Sequence, residues 1–232
     1  MIVKGFLLIL FFFAAQTAAQ NQPEKLPPFI QTSGEAVVTA QPDRSQIDLG
    51  VVTQANSSQA AAEQNAGKLE ATLSRLRQLL GSGAQIKTIS YALQPNYRYP
   101  KEGGEPQITG YTATNIVRVT LDDLTRVGAV IDTATQAGAN RVQNLQFMLR
   151  SEDVVQAQAL REAAAKARNK ADALAAALGL RILRVISVIE TSPAVVPVRD
   201  AMFARTEAAS TPIEPGTIEV RATVTLRVEI GP

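Results

Sequence analysis

A chain of 232 residues with no cysteine and no histidine has neither thiol nor imidazole, which excludes Cys–His and Ser–His–Asp nucleophiles, His- or Cys-ligated metals and thiol redox cycles. Apolar residues at 46% and charged residues at 19% are the balance of a globular fold, and aromatics at 5% without tryptophan leave the core to Ala, Val, Leu and Ile. The net charge of +2 is spread along the chain, so no basic face is concentrated enough to neutralise a nucleic-acid backbone.

The N-terminus reads as a signal peptide over 1–19. Lys4 is the positive start, residues 6–15 are an apolar run, and Thr17, Ala18 and Ala19 are the small residues of a cleavage site after Ala19. A retained membrane anchor is the alternative, but it asks for roughly 20 apolar residues, more than this run supplies. With no cysteine there is no site for a lipoprotein acyl chain. Residues 20–29 are polar and Pro-bearing, as in a flexible leader.

Two strands are expected over 30–40 and 44–54, separated by the Pro42-Asp43 turn; Ile47, Leu49 and Val51 share a face of the second. Asn56, with Gln59 in the capping-box position, predicts the start of a helix whose stripe is Ala62, Ala66, Leu69, Leu73, Leu76 and Leu80, with Gly81 at its C-terminal cap. A hairpin follows. Ile89, Tyr91, Leu93, Pro95, Tyr97 and Tyr99 share one parity, and Pro95 marks an edge or bulged strand. The return strand places Tyr111, Ala113, Asn115, Val117, Val119 and Leu121 together, and Asn115, the polar one, is expected to bond to neighbouring backbone.

Asp122 or Asp123 caps the second helix (stripe Leu124, Val127, Ile131, Ala134; end Gly138), and the adjacent carboxylates there suit the helix dipole better than a metal. A strand over 140–150 points Leu145, Phe147 and Leu149 one way. Ser151 opens the longest helix, with the stripe Leu160, Ala164, Ala167, Ala171, Leu174 and Leu178 and a stop at Gly179. A buried strand is expected over 181–190, then a Pro-rich loop over 191–216. The last strand alternates strictly from Ile218 to Ile230.

These elements predict an α+β fold, antiparallel sheet packed on long amphipathic helices in the order ββαββαβαββ, with a split-βαβ core over 44–150. The first and last strands should pair. Residues 30–232 form one domain or two subdomains.

The segments SGEAVVTAQPD at 33–43, TISYALQPNYRY at 88–99, ITGYTATN at 108–115, GANRVQNLQFML at 138–149, ALREAAAKARNKADALAAALG at 159–179 and IEPGTIEVRATVTLRVEI at 213–230 together resemble the SIMPL domain family of the bacterial envelope, in that family's order. The resemblance implies a periplasmic or outer-membrane-associated protein, loosely linked to stress protection and to oligomeric assemblies. It carries no agreed catalytic residues, so none is transferred.

The expected function is therefore non-enzymatic, without cofactor or metal: a homo-oligomeric or interaction module whose partners are itself, an envelope protein or the membrane surface. Val195, Val196, Val198, Met202 and Phe203, an apolar group interrupted by proline, form the candidate interaction segment, either docking on a neighbour or folding back. A carrier of small apolar ligands is the alternative. A hydrolase working through carboxylates alone, with Glu35, Asp43 and Asp48 near the first turn, is the weaker third reading.

Overall fold

The computed structural model describes residues 27–81, 85–101, 103–198 and 213–232. The expected signal peptide and most of the expected leader lie outside these residues, as do Met202 and Phe203. The elements are β1 (Phe29–Ala40), β2 (Arg44–Ala55), α1 (Ser58–Leu80), β3 (Gln85–Arg98), β4 (Gln107–Leu121), α2 (Val127–Ala137) after a 3-10 turn at Leu124–Arg126, β5 (Arg141–Met148), α3 (Asp153–Ala177), β6 (Arg181–Val198) and β7 (Thr217–Gly231). The fold is α+β, with two antiparallel sheets and three α-helices among the described residues.

The larger sheet has the order β3-β4-β2-β5 and the smaller the order β1-β7-β6. In the larger, β2 and β3 run parallel with β4 between them and antiparallel to both, which is the split-βαβ arrangement. The whole β2–β5 run sits between β1 and α3, elements that belong to the smaller sheet and its helix. The two crossings are tied together: Asp43 N donates to Met148 O (3.2 Å), and Arg150 N donates to the Asp43 carboxylate (2.6 Å). Leu149, expected to share a face with Leu145 and Phe147, instead packs on the smaller sheet's core, because it lies past the end of β5 in the return crossing. β1 pairs with β7 along its full length, from Phe29 opposite Glu229 to Ala40 opposite Ile218, which bears out the pairing of first and last strands.

Alternation builds both cores. Ile47, Leu49 and Val51 of β2 and Val117, Val119 and Leu121 of β4 pack under Leu76 and Leu80 of α1 and Val127, Val130 and Ala134 of α2. Several sequence expectations shift at this level. The α1 cap is Ser57, whose hydroxyl accepts from Ala60 N, one residue after the expected Asn56. The most buried α1 positions are Ala61, Asn65, Thr72, Leu76 and Leu80, so the first half of the helix is turned by a residue from the apolar stripe. Asn65 and Thr72 tolerate burial because they bring hydrogen bonds: Asn65 Nδ2 donates to Val51 O (2.8 Å) and Ala113 O (3.1 Å), and Thr72 Oγ1 to Lys68 O (2.8 Å). Asp123 caps the 3-10 turn, whereas Asp122 is paired with Arg44 (2.7 Å) and Arg150 (3.5 Å).

The second core is built on alanine. The buried line of α3 is Ala159, Ala163, Ala167, Ala171 and Ala175, at an unbroken spacing of four, while the expected Leu174 and Leu178 are exposed. The reason is distance. A Cβ placed on Gly34 of β1 would lie 2.1 Å from Ala163 O and 2.4 Å from Ala167 N, so strand and helix approach backbone to backbone and leucine does not fit between them. Thr32 Oγ1 donates to Ala167 O (2.7 Å) and Lys170 Nζ to Ser33 O (2.7 Å) across the same seam. Ile218, Val220, Ala222, Val224, Leu226 and Val228 of β7 fill the remainder of this face.

Candidate functional site

The strand expected to end at Glu190 continues to Val198, paired with β7 down to Thr217, so the Pro-rich connection is shorter than 191–216. Nor is it buried. β6 is the outer strand of its sheet, and Leu183 (55% exposed), Val188 (60%) and Ile189 (62%) face solvent together with Val185. The aliphatic composition predicts a buried strand; position at the sheet edge, which composition does not encode, decides otherwise. Of the candidate interaction segment, Val195 opposes Val220 and packs on the alanine core, Val196 opposes Glu219 and is exposed, and Val198 opposes Thr217. Val195, Val196 and Val198 thus belong to a strand rather than to a loop, while Met202 and Phe203 lie outside the described residues.

Three register shifts interrupt β6, leaving two regular runs, Ser187 to Thr191 and Ala194 to Val198. Bulges are a common device for blunting an edge, but the 187–191 run keeps regular backbone and carries the two most exposed aliphatics of the strand. An outer strand of the larger sheet, β3, opposes Pro95 to Tyr111 and is bulged on both sides of that region, with Tyr91 and Tyr97 exposed. Pro95 removes a donor from that edge.

A groove of about 500 Å³ lies between α1 and the β3–β4 hairpin. It exists because α1 sits over β2 and β4 and leaves β3 largely uncovered. Ala62 and Ala66, with the flanks of Leu69 and Leu73, which also pack against the core, form one wall, and Tyr91 closes the other side. Asn65 and Asn115 also line it. The Oδ1 atoms of both are buried and without a hydrogen-bond partner in the protein, which overturns the expectation that Asn115 is explained by backbone bonding. Sequence reasoning missed Asn65 altogether, because a search for apolar periodicity passes over a buried amide.

The carboxylates of the hydrolase reading do not converge. Glu35 is on the exposed face of β1, Asp43 is engaged by Arg150 N in the crossing, and Asp48 on β2 accepts from Arg118 Nε and Nη2 at 2.7 and 2.8 Å. The Arg118 guanidinium holds the Asp48 carboxyl below its usual range against the opposing effect of burial, the reverse of what a proton donor needs. Arg44 holds Asp122 low in the same way. Among the described residues no group of three or more Asp or Glu side chains is placed to hold a metal ion, and no helix is long and apolar enough to cross a membrane.

Fold and site together describe a two-sheet α+β protein with an open apolar strand edge and a polar-floored groove. The chain belongs to the SIMPL family, described as a protein of unknown function (DUF541), which it matches over residues 30–228. It is similar to the 26 kDa periplasmic immunogenic protein of Brucella melitensis, 29% identical over 222 residues that cover 92% of this chain and 89% of that protein. It is also similar to the uncharacterized protein YggE of Escherichia coli K12, 28% identical over 169 residues covering 72% and 68% of the two chains, and to YggE of Edwardsiella ictaluri, 28% over 175 residues covering 75% and 72%.

Proposed function

We propose that the protein is a non-catalytic module of the periplasm that works by joining further copies of itself through strand edges. The observation that carries this reading is β6, an outer strand whose regular 187–191 run has, among the described residues, no strand on its outer side and carries the exposed side chains of Val188 and Ile189. An edge of this kind is a template for another strand. The periplasmic placement draws on the name of the Brucella relative and on the apolar run behind Lys4. Association with the outer membrane and a part in protection against oxidative stress belong to the same proposal; with no cysteine, such protection is indirect, through contact rather than thiol chemistry.

Light scattering of residues 20–232 over a concentration series tests it. The expected result is a defined assembly larger than one copy, reduced to a single copy by Val188→Lys with Ile189→Lys. A single copy at every concentration, or an assembly indifferent to both lysines, contradicts it.

The groove favours a second reading, a carrier of small molecules, whose ligand chemistry follows from its lining.

A further inference from the structure

We propose that the groove between α1 and the β3–β4 hairpin is a binding site for a small amphipathic amine, an ammonium head on an aliphatic or aromatic body. Three observations converge on that chemistry. The space, about 500 Å³, is of the size that takes a small ligand, and its walls are the side chains of Leu69, Leu73 and Tyr91 with the small Ala62 and Ala66.

The second observation is the pair of amide oxygens. Asn65 is 1% exposed and already uses its Nδ2 on two strand carbonyls, so its Oδ1 remains as an acceptor; Asn115 Oδ1 is likewise buried. Leaving a buried acceptor unmet is costly, and two of them lining one groove point to a donor from outside that completes them. Carbonyl oxygens only accept. The missing partner therefore brings N–H or O–H groups, and a carboxylate or phosphate head is disfavoured there.

The third is charge. Glu63 and Glu70 stand one heptad, about two turns, apart along the groove, and among the described residues Glu70 has no hydrogen bond or ion pair of its own. Arg77 is the cation of the lining, one further heptad along the helix. Two carboxylates against one guanidinium favour a cationic head near Glu70, and an ammonium supplies three donors to the neighbouring oxygens. This site is independent of the β6 edge and of self-association.

The test is calorimetric titration of the full mature chain with n-octylamine, n-octanol and n-octanoate. Octylamine is expected to bind tightest and octanoate weakest. Asn115→Leu should weaken octylamine at least tenfold while leaving the unfolding temperature unchanged or raised, since it removes a buried acceptor without a partner. A residue with a purely structural role would not separate binding from stability in this way. Glu70→Gln, on the exposed helix face, should weaken octylamine about fivefold and leave octanol unchanged, and Ala66→Phe should abolish binding of both by filling the groove. Binding of none of the three probes, tightest binding of octanoate, or octylamine binding unaffected by Asn115→Leu and Ala66→Phe would each overturn the proposal.

Discussion

Gly34 and Gly67 show how differently the same residue type is used in this chain. At Gly34 a methyl group would meet backbone atoms of α3 at 2.1 and 2.4 Å, and neither partner is a side chain that can swing away. Gly34→Ala should therefore destabilise the protein by about 3 kcal/mol, as overpacking does at its upper range. Gly67 lies on the exposed side of α1 with nothing within 4 Å of an added Cβ, so Gly67→Ala should stabilise by about 0.5–1 kcal/mol through helix propensity alone. Urea unfolding of the two variants checks both signs. Asp48 gives a pH-dependent companion. Its folded-state pKa is lowered, so the stability it contributes is complete above the ordinary carboxylate value near about 3.9 and is lost as pH falls through the lower folded value. Arg118→Ala should cost about 2 kcal/mol at pH 7, by leaving a buried carboxylate without its bidentate partner, and the gap between variant and wild type should narrow as the pH falls through the lowered folded value of Asp48. Unfolding midpoints measured at pH 7 and pH 2.5 decide it.

At the scale of elements, what the sequence makes legible is alternation and punctuation. β7, the Pro95 edge, Gly81, Gly138 and Gly179 stand where the pattern puts them, because period-two alternation and the glycine caps are local properties of the chain. The misplacements share a physical cause: they depend on what lies across the interface. The predicted α3 stripe mixes Ala164, Ala167 and Ala171 with Leu160, Leu174 and Leu178, since burial of larger side chains is usually the stronger driving force, yet the close approach at Gly34 selects an all-alanine line. Asn65 became visible only once Val51 O and Ala113 O were seen within reach. β6 looked interior because a run of Ile, Val and Leu is the signature of a central strand, and nothing local distinguishes an aliphatic edge strand from one. That same ambiguity is why β6 is informative: aliphatics retained at an open edge, between bulges that shorten the available run, point to a short and specific pairing. Replacing Val185 by lysine, on a residue flanking the regular run, should reduce assembly less than Val188→Lys does, a ranking that sedimentation of the single variants can check.

For the whole molecule, the insertion of β2–β5 between β1 and α3 gives a larger half around one sheet and a smaller half around the other, and each proposed site falls on a different half. The larger half holds the groove, and the smaller holds the open β6 edge. The crossings at 41–43 and 149–152, clasped by Asp43 and Arg150, and Ile213 against the larger core join the two halves, and on the proposals above a ligand would occupy one half while a neighbour meets the other. The proposal of self-joining rests on β6 being that meeting point, and hydrogen exchange of its backbone amides addresses the point most directly. Measured at high and at low protein concentration, the outward-facing amides of residues 187–191 should exchange slowly in the first case and fast in the second, while the amides of β7, paired on both sides, stay slow in both. Equal and fast exchange of 187–191 at both concentrations, in protein that scattering shows to be assembled, would place the contact elsewhere and contradict the account.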